Sequence, residues 1–207
     1  VVIHFFSSII FFRQRSEIFL KQTNYLEHVR SNSETLDQNN MAKAKPFIKW
    51  AGGKGQLIEQ LDAQLPGDFG DRHNITYIEP FVGGGAMLFY MLQRYPNIRH
   101  AVTGDVNPDL TTCYQTVRDT PEELIASLQD IQSAYNALTT EEGRRDFFLA
   151  ARDRYNEKNL DPIENSTKFI FLNRTCFNGL YRVNRNRKYR PAKHNFQKDF
   201  GGVKYYS

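Results

Sequence analysis

The sequence predicts an α/β fold built on a parallel sheet. Three observations carry the prediction. A short apolar run, Ile75 to Ile78, leads into the glycine cluster Gly83-Gly84-Gly85. A helical segment follows from Ala86 to Arg94 and is closed by Pro96. A second strand-like run, Arg99 to Gly104, then ends at Asp105. Strand, glycine turn, helix and strand make one βαβ unit, and a helical crossover leaves its two strands parallel.

The flanking elements follow in order. Leu57, Ile58, Leu61 and Leu65 recur at helical spacing until Pro66-Gly67 ends the run. The first strand stops at Glu79-Pro80. Asn107-Pro108-Asp109 is a turn suited to capping a helix that begins near Asp109. Pro121 to Leu138 and Glu141 to Asn156 read as helices with charges on one face. Phe169-Ile170-Phe171-Leu172 is a compact apolar run that fits either a strand or a buried helix. Beyond Asn173 the chain turns basic, aromatic and turn-rich, and no internal repeat or low-complexity tract appears.

Composition bounds the partners. With 207 residues, 40% hydrophobic and 14% aromatic, the chain can bury one core and a small second unit. The formal net charge is +4. Its distribution says more than its sum: residues 168–207 hold ten of the 27 Lys and Arg but one acid, Asp199, of 23 Asp and Glu. Cys113 and Cys176 are the two cysteines, in no Cys-x-x-Cys or Cys/His pattern, so they read as small buried hydrophobes in a reducing, cytoplasmic setting. The five histidines are scattered, so no metal is expected. No apolar run reaches the ~18 residues of a membrane helix. Residues 1–40 read as a non-native or disordered leader, with Met41 as the start, and an anchored leader as the alternative.

The glycine turn carries the most chemistry. Glycines after the first strand of a βαβ unit let the backbone turn tightly and approach a ligand, and the next helix offers free N–H groups. An acid at the end of the second strand can accept from ribose hydroxyls, and Asp105 stands in that place. Gly83, Gly84, Gly85 and Asp105 therefore read as a nucleoside cleft. Leu88 stands where a dinucleotide fingerprint needs its third glycine, which argues against NAD. Glu79 beside the turn suits a cationic ligand better than a pyrophosphate. Gly52-Gly53-Lys54-Gly55 has a phosphate-loop look, but Gly55 replaces the needed Ser or Thr and Ile48 the first glycine.

Four separated motifs occur together: Lys49-Trp50-Ala51-Gly52-Gly53-Lys54, Glu79-Pro80-Phe81-Val82-Gly83-Gly84-Gly85, Asp105-Val106-Asn107-Pro108-Asp109-Leu110, and Phe171 to Arg182. Over about residues 45–184 this series resembles the Dam-like family of N6-adenine DNA methyltransferases. The resemblance implies an incomplete Rossmann-like S-adenosylmethionine-dependent methyltransferase sheet with a mainly helical target-recognition insertion. It implies a cofactor-binding part at 41–119, a recognition part at 120–190 and a divergent basic tail at 191–207. It implies S-adenosylmethionine as cofactor, held by Trp50, Lys54, Phe81, Gly83, Gly85 and Asp105.

The same resemblance implies double-stranded DNA as partner, no membrane, and a monomer. Arg174, Asn178, Tyr181, Arg182 and Asn184 suit DNA contact, since arginine forks reach phosphates or guanine and asparagine can read adenine. Phe177 and Tyr181 are aromatic enough to wedge beside a flipped base. Arg185, Arg187, Lys188 and Arg190 suit phosphates. A restriction-modification, repair or phage setting is equally compatible with these motifs. A non-catalytic nucleic-acid-binding module is the alternative reading.

Family enzymes hold the adenine amine with an Asp-Pro-Pro-Tyr motif downstream of the recognition part. The eight prolines here all stand alone, so the motif is absent and no catalytic residue is assigned. The expectation is a chain that stops before its catalytic segment, with little or no activity by itself.

Overall fold

A computed structural model of the chain describes residues 44–176, 181–185, 188–190 and 200. The sheet has two strands, β1 (Ile75–Glu79) and β2 (Ile98–Thr103), and they run parallel. The connecting helix, α2, spans Ala86–Arg94, as the βαβ reading expects. Before β1 the expected amphipathic helix is cut short. A 3-10 turn over Lys54–Leu57 leads into a five-residue helix α1, Ile58–Asp62. Leu57 and Leu61 stay exposed while Ile58 and Leu65 lean on the core, so the apolar stripe lacks a continuous partner.

The rest of the described chain is helical: α3 (Pro108–Asp119), α4 (Pro121–Asn136), α5 (Glu141–Asn156) and α6 (Pro162–Thr175). Three begin with Pro at N1, where the missing N–H costs nothing and the fixed φ favours the turn. The Asn107 side chain accepts from the Asp109 N–H, confirming the expected cap of α3. Thr140 and Asp161 cap α5 and α6 in the same way.

Helix α6 resolves the ambiguity at Phe169 to Leu172. It is buried nearly all round, from Ser166 to Asn173, and packs on α3, α4 and α5. A helix enclosed on every side has no polar face, which is why periodicity alone did not separate it from a strand. Its small polar residues are satisfied inside: Ser166 bonds Thr116 at 2.9 Å and Thr167 bonds Ser127 at 2.9 Å. Phe171 meets Tyr135, Phe147 and Phe200 edge-on. One core cluster runs from Phe47 and Leu88 through Val117 to Phe148 and Phe171, so packing is continuous across position 120. Cys113 and Cys176 are free and buried, as read from sequence, and burial pushes the Cys113 thiol well up.

Among the described residues the two strands are covered on one side only. Ile75, Tyr77 and Ala101 lean on the core, whereas Ile78 and Val102, paired in register, are 64% and 52% exposed. Parallel strands are ordinarily covered on both faces.

Candidate cofactor cleft

The cleft forms where the first strand ends. The Gly83 N–H donates to Asp105 Oδ2 at 3.0 Å, and the Asn107 N–H donates to Oδ1 at 3.0 Å. Asp105 therefore ties the glycine turn to the end of β2 and to the cap of α3. Each oxygen keeps lone pairs for a further donor, and the side chain is half-exposed.

Glycine is required at two positions. Gly83 has φ +52°, and a Cβ there would stand 3.0 Å from Trp50 Cδ1. Gly85 has φ +82°, and its Cβ would meet the Tyr114 hydroxyl at 2.5 Å. The Trp50 side chain can thus pack close against the turn at Gly83 because no side chain stands there.

Trp50 is placed from behind by α6. Asn173 donates to the Lys49 carbonyl at 2.8 Å and accepts the Lys49 N–H at 2.9 Å, as a neighbouring strand would. Arg174 Nε donates to the Phe47 carbonyl at 2.8 Å. Both residues lie in the motif run quoted from sequence, but their use as a clamp on residues 47–49 is visible only in three dimensions.

Lys54 reaches across the cleft. Its Nζ donates to Glu79 Oε1 and to the Phe81 carbonyl, each at 2.7 Å. The Tyr77 hydroxyl donates to Glu79 Oε2 at 2.8 Å. Glu79 is 5% exposed, and its charge is met within the chain before any ligand arrives. Selection of a cationic ligand by Glu79, expected from sequence, is accordingly weaker than the bare carboxylate implied. Burial and the Glu79 carboxylate together hold the Tyr77 phenol up, so it stays a donor.

Trp50, Lys54, Glu79, Phe81, Gly83 and Asp105 all line one open cavity of about 710 Å³. The four features on which the sequence reading depended are thus brought together. Gly85 does not line this cavity: a Cβ there would point at Tyr114 and Phe89, against the start of α2.

The residues expected to face DNA divide. Arg182 is exposed, with its carbonyl accepting from the Arg190 N–H at 2.8 Å, and Val183 and Tyr189 form an antiparallel bridge. Asn184 Oδ1 accepts the Lys188 N–H at 3.0 Å. Arg174 is half-buried on Phe47. Tyr181 is half-buried: its hydroxyl donates to Asp109 Oδ2 at 2.7 Å and its ring stacks on Trp50, 5.4 Å between centroids. Asn178, Phe177 and Arg187 lie outside the described residues, as do residues 1–43 and 191–199.

Asp109, missed as a site residue, gathers several groups. Lys158 Nζ lies 3.1 Å from its Oδ2 and 4.0 Å from the centre of the Tyr155 ring. Burial pushes the Asp109 carboxyl up, but hydrogen bonds from Tyr155 and Tyr181 and the Lys158 charge outweigh it and leave it below its ordinary value. Among the described residues no cluster of His, Cys, Asp and Glu could hold a metal, and no helix is long and apolar enough to cross a membrane.

Residues 50–203 match the family model of the D12 class N6 adenine-specific DNA methyltransferases. The chain belongs to that family. It is 43% identical over 145 residues to the Type II methyltransferase M.MjaIII of Methanocaldococcus jannaschii, covering 69% of this chain and 50% of that protein. It is 33% identical over 162 residues to the DNA adenine methylase of Haemophilus influenzae, covering 78% and 49%. For the DNA adenine methylase of Escherichia coli K12 the figures are 30% over 145 residues, 70% and 45%. The chain spans about half the length of these D12 relatives. All four quoted motifs but the first residue of the first, Lys49, fall inside the D12 match. Membership disfavours the reading as a non-catalytic nucleic-acid-binding module.

Proposed function

We propose that the chain binds S-adenosylmethionine in the cleft between Trp50 and the glycine turn, as part of an enzyme that methylates N6 of adenine in double-stranded DNA. One observation supports this above the rest: Trp50, Phe81, Gly83 and Asp105 converge on a single open cavity. Asp105 takes the ribose hydroxyls on its remaining lone pairs, Phe81 and Trp50 flank the adenine ring, and Lys54 braces the floor through Glu79. The fit rests on the cradle itself, because side chains at Gly83 and Gly84 would collide with Trp50 and the Ile48 carbonyl. The cofactor supplies a methyl group made electrophilic by its sulfonium. The residues of this chain bind and orient it.

In this reading β1 and β2 belong to a Rossmann-like sheet and α4 to α6 form the target-recognition part. Asn178, Arg182 and Asn184 form the DNA-facing set, with Arg185, Lys188 and Arg190 meeting phosphates. No Asp-Pro-Pro-Tyr quartet occurs in the 207 residues, so they are expected to bind cofactor without turnover by themselves.

Thermal unfolding with S-adenosylmethionine or its demethylated product tests the cofactor assignment. Ligand at a hundred times its Kd should stabilise the fold by about 2.7 kcal/mol. A response to NAD with none to either methionine compound would overturn it.

A further inference from the structure

We propose that Tyr181 is a positioning residue for the cofactor cleft, holding Trp50 in its wall and tying the basic segment at 181–190 to it. The inference rests on the cofactor reading above and goes beyond it, because sequence placed Tyr181 on the DNA side.

The side chain is fixed at both ends. Its ring stacks on Trp50 at 5.4 Å with the planes 29° apart, and Phe169 meets it edge-on at 5.5 Å. Its hydroxyl donates to Asp109, in the first turn of α3, a helix whose entry Asp105 also braces through Asn107. Tyr181 therefore touches the cleft twice, once through the indole that lines it and once through the helix that starts at its ribose-side acid. The glycine turn also crowds the indole, since a Cβ at Gly83 would stand 3.0 Å from Cδ1, so Trp50 contacts both the turn and Tyr181.

The Asp109 anchor is itself supported. Lys158 adopts φ +59°, a left-handed conformation disfavoured for a residue that carries a Cβ. That conformation follows the end of α5 and accompanies the Lys158 contacts with Asp109 and Tyr155. From Tyr181 the chain runs directly into Arg182 and the Val183–Tyr189 bridge, so the segment bearing the exposed basic groups starts from this anchor. Tyr189 packs on Tyr181 at 5.5 Å, closing the connection.

Trp50 is the one tryptophan in the chain, so its fluorescence reports the contact directly. The experiment uses the full chain as wild type, Tyr181→Phe and Tyr181→Leu. Emission is recorded ligand-free and during titration with S-adenosylhomocysteine, with circular dichroism to verify folding. Tyr181→Leu should shift the ligand-free Trp50 emission and weaken binding by about tenfold, the upper range of one aromatic pair. Tyr181→Phe keeps the ring and should restore the emission and most of the affinity, within about threefold. Wild-type emission and affinity in a folded Tyr181→Leu protein would overturn the proposal. So would a failure of Tyr181→Phe to restore either. If Tyr181→Leu does not fold, Tyr181→Phe decides: a changed emission there overturns the stacking role. A wild type that ignores S-adenosylhomocysteine overturns the cofactor reading instead, while the ligand-free emission still decides whether Tyr181 sets Trp50.

Discussion

The glycine turn lines the cleft and the basic segment after Asn173 reaches it through Trp50, and the two are built on opposite terms. Around Gly83 to Gly85 the site is backbone: positive φ values, the Gly83 N–H aimed at Asp105, and space that exists because no Cβ fills it. From Arg174 to Arg190 the site is side chains, and they split. Arg174 and Tyr181 turn inward to Phe47, Trp50 and Asp109, while Arg182, Arg185, Lys188 and Arg190 stay exposed. In the turn, then, shape and stability are the same thing. In the basic segment they separate residue by residue.

The largest effect should come from filling the turn. Gly85→Val adds a β-branched side chain at φ +82° against the Tyr114 hydroxyl. Left-handed strain and overpacking together should cost about 3 kcal/mol or more, read as a collapse of the denaturant midpoint. A near-normal midpoint would show that α2 and α3 can part, and would weaken the contrast between the regions.

Removing Lys54 should come next. Lys54→Ala leaves the Glu79 carboxylate buried with the Tyr77 hydroxyl donating to it, a loss of about 1–3 kcal/mol. The double variant Lys54→Ala with Glu79→Gln should recover part of it, since the uncompensated charge is gone. Urea melts of the single and double variants measure that recovery.

Asp109 gives a pH signature. Its carboxyl lies below its ordinary value in the folded protein, so its contribution is complete above about pH 4 and is lost as pH falls through the folded value. Asp109→Asn should therefore be less stable than wild type at pH 6, by about 1–2 kcal/mol. The gap should narrow below about pH 4. Thermal melts across pH 2.5 to 7 check this, and a gap that widens on acidification would reverse the assignment.

The smallest structural effect belongs to the exposed basic residues. Arg182→Ala should change stability by no more than about 0.5 kcal/mol. It should also lower the salt dependence of DNA binding by about one unit of slope. Filter binding across a salt series separates this from Tyr181→Leu, whose effect should appear first in cofactor affinity.

Much of the fold was legible locally. The βαβ order, the bounds of α2, the Asn107 cap and the Pro starts of the helices depend on neighbours in sequence, and all appear where expected. The helix near Leu57 fell short because periodicity reports a stripe but not a partner to cover it. Phe169 to Leu172 stayed ambiguous for the converse reason, since α6 is covered on all sides.

For the site, Trp50 and Lys54 entered through the family resemblance, while the sequence by itself determined the two features of the proposed nucleoside cleft, a glycine bend and an acid after the second strand. Those are short-range requirements of backbone freedom and chemistry. Only the tertiary structure decided that Gly85 serves packing, that Lys54 answers Glu79, that Asn173 clamps Lys49 and that Tyr181 leans on Trp50. Each of these is a contact between segments far apart in the chain. The direction of a side chain across such a gap is set by packing, which no local pattern encodes.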